Sequence, residues 1–507
     1  MSGPPVSPGL VVNPEFGSTR STSYATVLFG AVIASAVALG LLVASAPTLT
    51  LLAAAALLVT VLVWNRPEYA AYLTVGVTPL VVGIDRGALV PLLRPNEALV
   101  GLLAAVAVTR AVAKFRNSGF SMVRLQPIER SLLCLAIANS VLPAAWLVAQ
   151  GATLTADDIS YALVIWKYLV VYGVIRYSVR TAEHVGRCLH IILATSVVVG
   201  LIAICQALDL FGVRAMLVPL YAPLGHEGAL DLPRAGSTLS LPAAAGDLLV
   251  ITGCLASAMW FLQRRHGPWY GLVVTVCVLG TFSAAEFSSA LGLVVGAICV
   301  AVVTNRKEIL LYALAAITVA VIVMWPIVEV RLLGFQTPSG FPESWIGRWH
   351  NLQSYFWPEL FSGSGWNILF GVRPAARIPV SSQATGFVWI ESGYTWLLWG
   401  GGVPMVVAFA YFVKSALQLT WSRARALSDM VGVAATGALS GVVVVVTLMV
   451  FDPHLTYRGA ADCLLSLLAM CAAANAARAS RSASQAGGVS QPLSPTRVPA
   501  MGSLEGA

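Results

Sequence analysis

Charge is what this sequence has least of. Asp, Glu, Lys and Arg make up 10% of its 507 residues, against 58% hydrophobic residues, and the mean hydropathy is +0.82. A water-soluble domain cannot hide that much apolar surface, whereas a bilayer solvates it. Lysine is scarcer still, limited to Lys114, Lys167, Lys307 and Lys414. No basic region is clustered, so the net charge of +8 gives no footing for nucleic-acid binding, and none is expected. The eight cysteines (Cys134, Cys188, Cys205, Cys254, Cys277, Cys299, Cys463 and Cys471) all fall inside or at the ends of apolar runs. That placement argues against a disulfide framework and reads as small core residues. The connecting loops hold no Asp-x-Asp motif and no His/Cys cluster, so no metal or cofactor is expected. No cleavable signal peptide is expected either, because the first apolar run follows about twenty polar residues without a convincing cleavage site.

What is abundant is the near-uncharged run of about 17–23 residues, which matches the hydrocarbon thickness at ~1.5 Å rise per residue. The expected fold is therefore all-α, a polytopic integral membrane protein with 12–14 transmembrane helices and one large exterior loop. About fourteen spans are predicted, at 24–44, 47–64, 70–84, 96–113, 131–149, 160–176, 187–208, 240–262, 269–286, 288–305, 308–326, 389–413, 430–450 and 459–476. Basic residues orient them. Arg110, Lys114, Arg116, Arg124 and Arg130 flank one connection, and Arg176, Arg180 and Arg187 the next on that side. Arg264 with Arg265, Arg306 with Lys307, then Lys414, Arg423 and Arg425, and finally Arg478 with Arg481 continue the series. All fall on one side if both termini are cytoplasmic, the orientation expected for this multi-pass protein. Residues 1–23 and 477–507 are rich in Ser, Gly, Pro and Ala and read as disordered cytoplasmic ends. Between them come a first helical bundle (24–326), a large exterior loop with short helices (327–388), and the rest of the bundle (389–476). A second exterior connection, about 209–239, is also long, and loops of such length on one face are usually functional.

The exterior loops contain no lysine, yet they contain Arg86, Arg94, Arg214, Arg234, Arg331, Arg348, Arg373, Arg377 and Arg458. Exterior positive charge opposes the topological bias. Choosing arginine alone suits planar, bidentate recognition of phosphate or carboxylate, although GC-rich codon usage would also favour it. Arg234 lies in PRAGSTLSLPAAAGDLL, where a loop becomes a helix. The small residues Gly236, Ser237, Thr238 and Ser240 leave room for close backbone approach, and a helix N-terminus would add a favourable potential for an anion. Arg348 lies in SWIGRWHNLQSYF between Trp345 and Trp349 and beside His350, a pattern shared with surface helices of the interfacial belt.

Within the spans, Lys167 (VIWKYLVVY) and Asp247 (AAAGDLLV) are the conspicuous ions. Each sits roughly 10 Å from the exterior end of its helix, and equal depth permits a pair, structural or catalytic. Glu286 (TFSAAEFSSALG) lies at a tight turn. Glu391, in TGFVWIESGYTWLLWGGG, stands just inside an apolar run. It reads either as a base at the membrane edge or as a helix N-terminal acid favoured by the macrodipole.

The segments RAGSTLSLPAAAG, GRWHNLQSYFWPELFSGSGWNILFGV and WIESGYTWLLWGGGVPMV, in this order, resemble the O-antigen ligase and polysaccharide polymerase family of bacterial envelope biosynthesis. The resemblance spans about residues 25–475. It implies a glycosyltransferase that moves or polymerises glycan from a polyprenyl-diphosphate-linked donor to a glycan or lipid acceptor on the outer face of the membrane. By the same resemblance Arg234 and Arg348 contact the donor diphosphate; Lys167 and Asp247, as ions within spans, and Arg458, as an exterior arginine, are further substrate-binding candidates. Glu391 is then the base, with His350 and His454 as further candidates. Where ligases often carry His-Asn, this chain has Glu391-Ser392, and Ala285-Glu286 replaces a frequent Ser-Arg. Both departures favour a polymerase or another acceptor. A transporter of an anionic or lipid-linked precursor is the alternative, and a third reading is a lipid-linked glycosyltransferase using Asp85 (VGIDRGALV).

Overall fold

The computed structural model describes residues 47–90, 93–118, 125–221, 234–263, 267–362, 365–380, 386–426 and 428–487, with side chains to 474. The predicted span 24–44, the N-terminal segment and residues 488–507 lie outside the described residues. The chain divides into two compact units, one ending at Leu62 and one beginning at Val63. The first is described through helix α1 (Pro47–Asn65), apolar and held by its own backbone, with Thr60 donating to Ala56 O at 2.8 Å.

The second unit is helical almost throughout. Its elements run α2 (Glu68–Val81), α3 (Pro95–Ser118), α4 (Pro127–Ala149), α5 (Ala156–Ala162), α6 (Val164–Ser178), α7 (Ala182–Ala207), α8 (Val213–Tyr221), α9 (Pro242–Leu262), α10 (Gly267–Ser283), α11 (Phe287–Thr304) and α12 (Glu308–Val323). Then come α13 (Trp325–Leu333), α14 (Glu343–Asn351), α15 (Trp357–Phe361), α16 (Trp366–Phe370), α17 (Gly393–Ala426), α18 (Met430–Leu448) and α19 (Ala460–Gly487). Local chemistry sets several starts. Thr155 accepts from Asp158 N while Asp158 reaches back to Thr155 N, at 3.2 and 2.9 Å, and Asp429 accepts from Gly432 N at 2.8 Å, each satisfying an otherwise orphaned donor.

Among the described residues, eight helices are long and apolar enough to cross a bilayer: Pro95–Lys114, Pro127–Ala149, Ala156–Ser178, Ala182–Ala207, Pro242–Leu262, Phe287–Thr304, Gly393–Ala426 and Met430–Leu448. This is a multi-pass membrane protein. Of the other predicted spans, helix α2 has only 14 residues, about 21 Å at ~1.5 Å each, and Gly267–Ser283 has 17, whereas the helices over the predicted 47–64 and 459–476 run for 19 and 28 residues. The predicted span 308–326 breaks instead. Helices α12 and α13 meet at 83°, with Pro326 in the first turn of α13, where its missing N–H costs nothing. The expected disordered tail also starts late, because α19 continues to Gly487 through an alanine-rich stretch of high helix propensity.

The centre of the bundle is α9 and α18, whose apolar windows are 78% and 83% buried against 22% for α3. Small residues make this approach possible. A Cβ at Gly437 would stand 3.1 Å from Leu255 Cδ1, and one at Gly441 would stand 2.9 Å from Leu464 Cδ1. The large-loop segment packs over one end of this bundle. It holds α13 to α16, a π-helical turn at Leu352–Phe356, and an antiparallel pair of strands, β1 (Arg377–Pro379) with β2 (Phe387–Trp389), in register Arg377–Trp389, Ile378–Val388 and Pro379–Phe387.

Candidate functional site

Five separate segments meet at the large-loop end. Arg348, in the last turn of α14, directs Nη1 to Asp452 Oδ2 at 2.9 Å and Nε towards Glu391 Oε1 at 3.5 Å. Asp452 belongs to the turn between α18 and α19. In the same turn His454 Nδ1 meets Asp247 Oδ2 at 2.6 Å, and both of those side chains are buried. Arg234, entering α9, is ion-paired with Glu286, whose second oxygen lies 3.9 Å from Arg331 Nη2. Arg331 Nε donates to Ala285 O at 2.6 Å. Phe287 and Trp345 pack edge-on beside them, with Phe451 against Trp345.

Glycine at 393 is a requirement of this arrangement. The first N–H groups of α17 point at the end of α18, with Gly393 N donating to Met449 O at 2.8 Å, and a Cβ at 393 would stand 2.8 Å from Asp452 O. Ser392 caps α17, accepting from Thr395 N at 3.3 Å, and the first turn contains no acid. Glu391 therefore stands before the helix as a member of the ionic cluster.

The electrostatics are those of charges held close together in partial burial. Burial pushes the Glu391 carboxyl above its ordinary value; Arg348 opposes that shift and Asp452 adds to it. Asp452 is raised by burial too, again against Arg348. Burial brings Arg234 down to about 10, with the charges of Arg331 and Arg348 acting in the same direction. Three arginines thus face Glu286, Glu391 and Asp452, and two of those carboxylates share the single guanidinium of Arg348. Among the described residues, Arg234 Nε, Arg348 Nε, Asp247 Oδ1 and His454 Nε2 are buried without a hydrogen-bond partner. Native proteins rarely leave such atoms unmet.

Arg234, Arg348, Asp247 and Glu391 come together as expected, and other candidates do not. Lys167 and Asp247 do not pair. Lys167 Nζ is 2.5 Å from Glu97 Oε1, and Asp247 is taken by His454. Equal depth fixes a residue's height in the bundle but not the side of the helix it occupies. His350 is exposed, and among the described residues its ring nitrogens have one hydrogen-bond partner, the Ser354 hydroxyl at 3.4 Å. Two residues past Arg348 on a helix is about 200° around the axis, which turns His350 away from the cluster. Arg458 is exposed and has no ion-pair partner among the described residues.

The small residues after Arg234 also serve a different purpose from the expected one. Ser237 donates to Val199 O, Thr238 to Pro79 O and Ser240 to Gly83 O, each at 2.8 Å. Residues 235–239 are buried. They tie the loop to neighbouring helices and offer no open approach to a ligand. Sequence reasoning passed over Asp452 as the partner of Arg348. The available signal was the polar DPH triplet between two apolar runs. Among the described residues no group of three His, Cys, Asp or Glu is arranged to hold a metal ion.

Beside the cluster, α17 carries an apolar groove of about 540 Å³ that begins at Tyr394 and Leu397 and continues along Val406, Phe409, Val413 and Leu417. Compared with protein-family models, curated proteins and solved structures, the chain matches none.

Proposed function

We propose that this chain is a glycosyltransferase of the O-antigen ligase and polysaccharide polymerase kind, using a polyprenyl-diphosphate-linked glycan as donor at the outer face of the cytoplasmic membrane. The observation that carries the reading is the convergence of Arg234 and Arg348 with Glu391, from segments far apart in sequence. The distribution of basic residues supports cytoplasmic termini and an exterior large loop.

In this reading the diphosphate takes Arg234 from Glu286 and the Nε side of Arg348 from Glu391, leaving Asp452 on Nη1, and the isoprenoid chain follows the groove of α17. The acceptor hydroxyl oxygen attacks the anomeric carbon of the donor sugar and its proton passes to the Glu391 carboxylate. The bond from that carbon to the diphosphate oxygen breaks, and the electron pair leaves on the phosphoryl group. The leaving group is already good, so the barrier is lowered by charge stabilisation at the diphosphate and by the base. Asp452 holds Arg348 in place, and the buried Asp247–His454 pair fixes the turn that presents Asp452.

The bidentate geometry gives the test. Arg234→Lys and Arg348→Lys keep the charge but lose the fork, so transfer from a synthetic lipid-linked donor in proteoliposomes should fall by about 10²-fold for each. Full activity with lysine at both positions would contradict the assignment.

A further inference from the structure

We infer that α13 is an interfacial helix, with its outward apolar face seated at the boundary between headgroups and hydrocarbon on the large-loop side of the bilayer, while its inward face carries Arg331 to the ionic cluster. The helix before it sets the level. Helix α12 follows the crossing helix α11 after a short turn and packs beside α10 and α11 through Ala316, Ile317 and Ala320. Its 16 residues span about 24 Å at ~1.5 Å each, close to the hydrocarbon thickness of about 30 Å. Leu311, Leu314 and Ile322 on its other side are exposed, a surface that lipid suits and water does not. At Met324 the chain turns by 83°, so α13 runs along the plane of the bilayer, level with the end of α12.

Met324, Ile327, Val328 and Arg331 recur at the spacing of one helix face and turn inward. Met324 and Ile327 are buried among Ala203, Ala207, Ala235 and Ala285, with Val328 packed against them, and Arg331 Nε donates to Ala285 O at 2.6 Å. Ala203 and Ala207 lie one turn apart on the flank of α7, so α13 crosses the side of the bundle and not its top. Outward stand Trp325, Val330, Leu332 and Leu333, each between 47% and 54% exposed, together with Pro326 and Glu329. The helix is not free to roll and hide them. At its start the Ser283 hydroxyl donates to Met324 Sδ at 3.7 Å. Just past its end Phe335 packs edge-on against Phe287 at 5.0 Å and Trp345 at 6.2 Å.

Four large apolar side chains on one side of a nine-residue helix make an unfavourable surface in water. At a headgroup boundary the same helix buries that side and keeps its polar groups at the wet edge. Trp325 stands at the bend, where aromatic residues gather in such boundaries. The outward face has one charge, the Glu329 carboxylate, and no cation, because Arg331 is turned towards Glu286. Burial of apolar area therefore seats the helix, and attraction to anionic headgroups does not. The large-loop segment thus begins in the membrane boundary, directly beside the cluster.

The test uses the full chain in phosphatidylcholine nanodiscs. An environment-sensitive fluorophore is attached to Val330→Cys, to Leu333→Cys and, in the loop beyond, to Ser339→Cys; the wild-type chain labelled in the same way gives the background from its own cysteines. The two helix positions should lose emission to a lipid carrying a nitroxide near its carbonyl and keep it in aqueous iodide. Ser339→Cys should do the reverse. Adding phosphatidylglycerol should change neither result, and helix labels that reach lipid only in its presence would make the seat electrostatic and contradict the inference. Quenching by iodide and not by lipid would put α13 in water. Protection from both quenchers would mean that protein, a partner or a second copy, covers the face. Either result overturns the inference.

Discussion

Arg373 and Arg348 leave the same large-loop segment and meet opposite surroundings. Arg373 lies fork to fork on Asp158, Nε to Oδ1 at 3.0 Å and Nη2 to Oδ2 at 2.6 Å. That carboxylate is fully buried and also accepts Thr155 N, the Thr155 hydroxyl and Ala375 N. Arg377 repeats the pattern on Asp157, at 2.7 and 2.6 Å, and stacks on Phe387 at 4.2 Å. Arg348 instead divides itself between Asp452 and Glu391, and its Nε is buried without a hydrogen bond. One arginine laid by two parallel hydrogen bonds on one carboxylate makes a fastening. One arginine between two carboxylates, with donors unmet, leaves binding capacity for something else. Residue type and loop are the same in both cases, so stoichiometry and geometry separate the structural arginines from the candidate functional ones.

The comparison can be broken most sharply at Glu391. Glu391→Gln keeps the size and removes the charge, so transfer should fall by about 10²–10⁴-fold while thermal stability and donor binding persist. Wild-type rates in a folded Glu391→Gln protein would remove the carboxylate from the chemistry. On the other side, Arg373→Ala strands a buried carboxylate and should cost about 3–5 kcal/mol of stability, seen in detergent melts, with the rate per folded molecule unchanged. A loss of turnover without a loss of stability would erase the distinction between the two regions.

The smallest expected effect is a shift in pH dependence. Glu391 accepts a proton only when ionised, and its raised carboxyl is protonated as pH falls. The acidic limb of the rate should therefore lie above 4.5, the ordinary carboxylate value. Asp452 contributes to raising it, so Asp452→Asn should move the limb to lower pH, and Asp157→Asn in the other region should not move it. A limb unmoved by Asp452→Asn would mean that Glu391 does not set it.

The two regions also differ in how well the sequence announced them. Apolar runs identify a helical membrane protein, because hydropathy and span length are properties of each run alone. The threonine and aspartate at 155 and 158 form a readable capping box, yet nothing local says that Asp158 will receive Arg373. Lys167 and Asp247 stood out as buried ions, but their partners, Glu97 and His454, depend on which helix faces which, and near-uniformly apolar helices carry little azimuthal signal. Glu391 and Arg348 were readable as candidates because a charge in an aromatic setting needs a reason. Asp452, in a short polar turn, looked ordinary until the fold placed it against Arg348. The span count failed where length decides, at the 14-residue α2 and at the 83° bend before Trp325.

The central claim is that lipid-linked glycan is consumed at this end of the bundle. The most direct measurement is the amount of polyprenyl-diphosphate-linked oligosaccharide in cells lacking the chain, with its leaflet assigned by a membrane-impermeant glycan-oxidising reagent. The account predicts accumulation on the outer leaflet, reversed by the wild-type chain and not by Glu391→Gln. No accumulation, or accumulation confined to the inner leaflet as a missing transporter would produce, would contradict it.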